Sequence, residues 1–263
     1  MTLLTLPRRP FVELRDLRWR LWPVLLAGGL MQAVLWPARE LARLVAHQHA
    51  AFFNDRVWAF FGLAMVFQTL AGLAGIAVMR RWLPHAPTYL AWPARGRSLV
   101  GLALAIGLGM GVLMLVADWW PQLLAHRVPD AGYDPRHGGV AGWLVVMACS
   151  GLCEEPIFRG LLVGLLTALV PGRVRVGRVD LPVAGVLVAF LFGVAHYGTF
   201  FVDPLPLAVA QQLYAFAFGL VYVWLMERSR SLLAPIVAHG VGDAVEVGAL
   251  MALHSIGGAS SYN

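Results

Sequence analysis

Apolar runs of bilayer length constrain this chain more than any other feature. They fall at about 21–37, 57–79, 98–118, 140–170, 182–198, 205–226 and 232–252. A helix of about 20 residues crosses the hydrocarbon layer while pairing its own backbone groups, so runs of this kind become transmembrane helices. The fourth run is too long for one upright span and must tilt, project or break, with Pro156 as the candidate kink. With 59% hydrophobic and 13% charged residues and a mean hydropathy of +0.71, the chain lies far from the roughly 25% charge of soluble domains. The expected fold is therefore all-α, a polytopic helical membrane protein of about seven spans, with eight as the alternative count.

All twenty basic residues are arginines, and their placement suggests an orientation. Fourteen lie in the N-terminal tail, at 80–97, at 171–181 and at 227–231, against five in the intervening connections. The positive-inside rule then puts the N-terminus in the cytoplasm, with the cell (inner) membrane as the location. Because the arginines are scattered between apolar runs, the net charge of +6 points to the bilayer surface and not to nucleic acid. Residues 11–18 read as a short basic amphipathic segment, and no cleavable signal follows them. Segment 39–45 has helical spacing suited to the interface, and 119–139 reads as an irregular loop. Tryptophans near the span ends suit an aromatic belt, while Cys149 and Cys153 read as small packing residues. The chain divides into 1–139 (tail and three spans), 140–252 (a core of four spans) and 253–263 (a short tail).

Charge inside the apolar runs narrows the function. Glu154, Glu155 and Arg159 lie within the fourth, where each charge costs roughly 2.5–3.5 kcal/mol at a helix centre. Glu155 and Arg159, four apart, can pair on one helical face, while Glu154 points about a hundred degrees away and is left for another partner. His196 ends the run after Phe192, and His239 and Asp243 lie one turn apart, with Glu246 following on a similar face. Gln211 and Gln212, near Tyr214, read as packing hydrogen bonds. Carboxylates and imidazoles gathered in low dielectric are what water activation requires: a base, and donors for a developing oxyanion. Upright spans oppose this, since at 1.5 Å per residue His239 lies roughly 10 Å deep and His196 roughly 20 Å. Tilt or a broken helix within 171–198 would reconcile them.

In order and spacing, Glu154-Glu155-x-x-x-Arg159, Phe192-x-x-x-His196 and His239-x-x-x-Asp243 resemble the three motifs of the CAAX-protease and bacteriocin-processing (Abi) family of intramembrane proteases, which includes the type II CAAX prenyl endopeptidases. The resemblance covers about 140–250. It implies that Glu154 activates the attacking water with help from His196. His239 and Asp243 would stabilise the oxyanion or contact a metal, and Glu155 and Arg159 would orient the others. Asp243 stands where many relatives have asparagine, so it donates a hydrogen bond only when protonated. If a divalent metal such as zinc is bound, the resemblance makes Glu154, His196, His239 and Asp243 its ligands. Gly240-Val241-Gly242-Asp243 also has the form of a presenilin-like motif. Its partner Tyr133-Asp134 lies in a polar loop, however, and a rhomboid-like dyad on Ser150 would leave Glu154 unexplained.

The expected activity is thus that of a membrane-embedded endopeptidase, with no acyl-enzyme because no activated serine or cysteine is evident. The expected partner is a membrane-associated or lipidated peptide or protein. The alternative is a non-catalytic scaffold, or a proton- or ion-coupled transporter built on the same polar cluster. Glycine faces at Gly107–Gly111 and at Gly160 with Gly164 suit either a homodimer or, preferably, packing within one chain.

Overall fold

The structure, a computed structural model, describes residues 12–16, 21–129 and 139–260. Among them are seven long helices: α1 (Trp22–Gln48), α2 (Val57–Trp82), α3 (Val100–Leu124), α4 (Val140–Leu169), α5 (Val183–Val194), α6 (Leu205–Ser229) and α7 (Leu233–Ser260). The chain is a predominantly helical polytopic membrane protein. Six of the described helical segments are long and apolar enough to cross a bilayer: α2, α3, α4, α6, α7 and the stretch Val183–Phe201 that begins with α5. The first expected span falls short on composition. α1 is longer than the apolar run that founds it and takes in Arg39, Glu40 and Arg43, so segment 39–45 continues this helix. The motif-like pair Tyr133-Asp134 lies outside the described residues, as do the tail arginines Arg8 and Arg9.

One small sheet joins the helices, and helical and apolar patterning gave no sign of it. Strands β1 (Val12–Arg15), β2 (Arg173–Val176) and β3 (Val179–Pro182) pair antiparallel in the order β1-β2-β3. The segment read as basic and amphipathic thus begins as a strand. Its alternating charges meet partners across the ladder: Glu13 pairs with Arg175, and Arg15 with Asp180. Burial opposes the Asp180 charge, but hydrogen bonds from Arg173 and Arg15 hold its carboxyl below the usual range. Arg173 also reaches Glu227 at the end of α6, 3.3 Å away, and Tyr89 from the α2–α3 connection donates to the same carboxylate at 2.5 Å. Burial and that bond to Glu227 raise the Tyr89 phenol above its ordinary value. Leu232 N–H closes the cluster on the Tyr89 carbonyl at 2.9 Å. Four arginine-bearing regions that lie far apart in sequence are therefore tied together at one end of the bundle.

Two contacts between helices bring the polar residues into register. On α3, Gly107 and Gly111 lie against α7: a Cβ on either would stand 2.6 Å from the carbonyl oxygen of Ala238 or Gly242. On α4, a Cβ at Gly151 would stand 2.3 Å from Ile236 O, and on α7 one at Gly240 would stand 2.2 Å from Ala148 O. Backbones so close leave no room for side chains between them, so the next polar residues along each helix meet directly. Gly160 and Gly164 likewise face Ile76 and the Pro87 carbonyl of the same chain.

Candidate active site

Pro156 distorts α4 without ending it. A proline inside a helix removes one N–H and crowds the carbonyl four residues back. Here the helix widens into a π-helical stretch over Pro156–Leu162, and Val163 N–H reaches Phe158 O, five residues back. Arg159 lies inside this stretch and is wholly buried, as is Glu155 just before it. They pair at 3.0 Å, Arg159 Nη1 to Glu155 Oε1, and Arg159 Nη2 donates to the Gly219 carbonyl on α6 at 3.4 Å. The guanidinium is further surrounded by the rings of Phe192, Tyr222 and Phe158, with its carbon 4.5, 5.0 and 5.7 Å from their centroids. Three aromatic faces and two hydrogen-bonded oxygens take the place of the water that a buried cation loses.

The Glu155 oxygen that holds Arg159 also accepts from His239 Nδ1 at 2.8 Å. A carboxylate can only accept, so Nδ1 carries the proton and Nε2 is turned toward the remaining acids. Asp243 Oδ2 lies 3.5 Å from Nε2, and Glu154 Oε2 lies 3.9 Å from it. Neighbours in sequence, the two glutamates thus have different surroundings. Glu155 is sealed off by Arg159 and His239, whereas the Glu154 side chain keeps 24% of its surface and Asp243 keeps 22%. A space bordered by Glu154, Asp243 and one imidazole nitrogen is therefore open to a small polar molecule.

His196 approaches from the side. The expected span at 182–198 is a helix of only 12 residues, preceded by the β2–β3 hairpin and followed by a turn and a 3₁₀ segment, Tyr197–Phe201. A short α5 removes the depth mismatch that full-length spans would impose. His196 Nδ1 donates to the Phe192 carbonyl at 2.9 Å, leaving Nε2 as the free nitrogen. Phe192 stands between the histidines, edge-on to both, with centroids 5.2 Å from His196 and 5.7 Å from His239. His196 is near enough to Glu154 for the two to interact electrostatically. On α6, Gln212 Nε2 donates to the His196 carbonyl at 3.1 Å and to Thr199 Oγ1 at 3.3 Å.

Sequence reasoning passed over one aromatic neighbour and one acid. Tyr222, which reads simply as apolar filling in its helix, stacks on the His239 ring, while Phe192, the first residue of the second motif, separates the histidines. Asp118 on α3 accepts from Tyr214 at 2.9 Å and lies beside Glu246, forming a second polar group beyond Asp243. Ser150 is buried and its hydroxyl makes no hydrogen bond, so it has no histidine partner for a dyad. The two cysteines line an apolar groove of about 420 Å³ on the other side of α4, with Phe52, Trp58, Gly62 and Val146.

A divalent metal would need at least three of these side chains to converge on one point. No three histidine, cysteine, aspartate or glutamate side chains do so among the described residues.

No curated protein and no solved structure matches the chain. A family model does: residues 136–245, the segment that contributes Glu154, Glu155, Arg159, His196, His239 and Asp243, match the model described as type II CAAX prenyl endopeptidase Rce1-like. The part of the chain that holds all six of these side chains is thus similar to the Rce1-like type II CAAX prenyl endopeptidases.

Proposed function

We propose that the protein is an intramembrane endopeptidase of the CAAX prenyl protease kind, with a water activated by Glu154 as its nucleophile. The observation that carries this reading is the line Arg159–Glu155–His239, held at 3.0 and 2.8 Å, which leaves Nε2 and the partly exposed Glu154 facing one opening. Glu154 takes a proton from water as the water oxygen bonds to the scissile carbonyl carbon. The oxyanion that forms accepts hydrogen bonds from Nε2–H of a doubly protonated His239 and from Asp243 when protonated. As the C–N bond breaks, the proton held by Glu154 passes to the leaving amine. His196 offers its free Nε2 to the same water or to the departing amine. Arg159 and Glu155 orient His239 and touch no reacting atom.

The arginine-rich end, with its sheet, lies at the cytoplasmic face of the cell (inner) membrane, and the substrate is a membrane-associated or lipidated peptide. The apolar groove along α4 offers room for its hydrocarbon chain. The test is cleavage of a fluorogenic farnesylated CAAX peptide by purified protein, with Glu154→Gln and Glu154→Ala alongside. Both variants should remain folded and lose turnover by about 10³-fold or more, as expected when the group that activates the nucleophile is removed. Turnover at the wild-type rate in Glu154→Gln would refute the mechanism. Turnover should persist in a chelator, because no three donor side chains among the described residues converge on one point.

A further inference from the structure

Helix α6 contributes no residue to the three motifs, yet its side chains and carbonyls hold the groups that do. Arg159 donates to Gly219 O, Gln212 holds the turn that carries His196, and the ring of Tyr222 lies flat against His239. This last contact is the most specific. The Tyr222 and His239 centroids are 5.0 Å apart with planes only 13° from parallel, while Phe192 meets the same imidazole edge-on at 83°. Tyr222 is 2% exposed, and Phe192, 6.3 Å away and also steeply inclined, limits its own movement.

The need for such a contact follows from the hydrogen bonding. His239 has one short bond, Nδ1 to Glu155; on the Nε2 side the acids are 3.5 and 3.9 Å away, beyond a strong hydrogen bond. One bond fixes a point on the ring but not its plane. The imidazole could rock about its Cβ–Cγ axis and carry Nε2 out of line with the opening. A parallel ring against one face, with an edge-on ring beside it, removes that freedom.

We propose that Tyr222 is the positioning residue for His239, fixing the imidazole plane so that Nδ1 stays on Glu155 while Nε2 faces Glu154 and Asp243. The proposal rests on His239 being part of the reaction centre. It assigns the work to the aromatic face of Tyr222 and none to the hydroxyl.

The experiment compares Tyr222→Phe and Tyr222→Leu in the full-length protein in detergent. It reads kcat and KM on the farnesylated peptide, and the ¹⁵N signals of His239 in histidine-labelled protein, assigned with His239→Gln. Tyr222→Phe keeps the stack and should retain turnover within about threefold, with the wild-type Nδ1–H signature. Tyr222→Leu should lose on the order of 10- to 100-fold in kcat with KM within about twofold, the pattern of a misplaced catalytic group. Its His239 Nδ1–H signal should shift away from the position set by the hydrogen bond to Glu155. Wild-type kcat and an unshifted His239 spectrum in Tyr222→Leu would overturn the proposal, as would equal damage in Tyr222→Phe. If Glu154→Gln cleaves normally, the proposed mechanism fails separately, and the His239 spectrum still decides the role of Tyr222.

Discussion

Removing Arg159 while leaving Glu155 in place should be the most damaging single change to stability in this bundle. Both side chains have no exposed surface, and Nη1 and Oε1 are 3.0 Å apart. At an effective dielectric of about 20, two unit charges at that distance attract by about 5.5 kcal/mol. Desolvation offsets much of this when the pair forms, so its net contribution is small. Taking away Arg159 leaves the buried carboxylate with its desolvation and only His239 against it, at a cost of about 3–5 kcal/mol. Arg159→Met should therefore lower unfolding stability by about that amount in mixed-micelle SDS titrations. Glu155→Gln combined with Arg159→Met should recover part of the loss, because the amide is neutral and its oxygen still accepts from His239. The surface pair Arg43–Glu40, with side chains 57% and 40% exposed, is the control, with an expected coupling of about 1 kcal/mol or less. Two results would refute the reasoning: an Arg159→Met protein within about 1 kcal/mol of wild type, or a double variant that loses the sum of the two single losses.

Gly240→Ala should lower stability and turnover together, since its Cβ would stand 2.2 Å from the Ala148 carbonyl and push α7 away from α4. Gly109→Ala on α3, with nothing within 4 Å of its Cβ, should be neutral or stabilising by about 0.5–1 kcal/mol; thermal unfolding and peptide cleavage check both. Asp180 titrates below its unfolded value, so its contribution to the sheet is fully present above the unfolded carboxylate range and is lost as pH falls through the folded pKa. Amide exchange in β1, corrected for intrinsic rates, should accelerate below about pH 4 in the wild type, and Asp180→Asn should abolish that pH dependence. Asp118→Asn should change kcat by less than about threefold, because the Asp118–Glu246–Tyr214 group lies outside the opening around Glu154; a loss as large as that of Glu154→Gln would extend the reaction centre to it.

The apolar runs made the membrane-spanning helices legible, because bilayer thickness sets their length and the missing water sets their type. The helical phase of 154, 155 and 159 likewise showed which glutamate Arg159 would hold, since a spacing of four places side chains together on any regular helix. Patterning failed at α1, whose helix outruns its apolar stretch. It failed again at the sheet, whose strands are four residues each and are held by ion pairs between segments some 160 positions apart. The run at 182–198 was legible as a span, since Val183–Phe201 is long and apolar enough to cross a bilayer, but hydropathy did not show that the α-helix gives way to a 3₁₀ turn after Val194.

From the sequence alone came the chemistry available to the protein: which acids, imidazoles and arginine are held in low dielectric, and in what order along the chain. Tertiary structure alone decided how they face one another. The contacts at Gly151 and Gly240 bring α4 against α7, so that His239 bonds Glu155 and turns Nε2 toward Glu154. Tyr222 and Phe192, two residues that composition marks only as apolar, set the plane and the separation of the histidines. The reason is physical. Burying a charge is a local cost that the sequence displays wherever it occurs. The direction of a ring nitrogen depends on the packing of three helices, and no one of their sequences contains it.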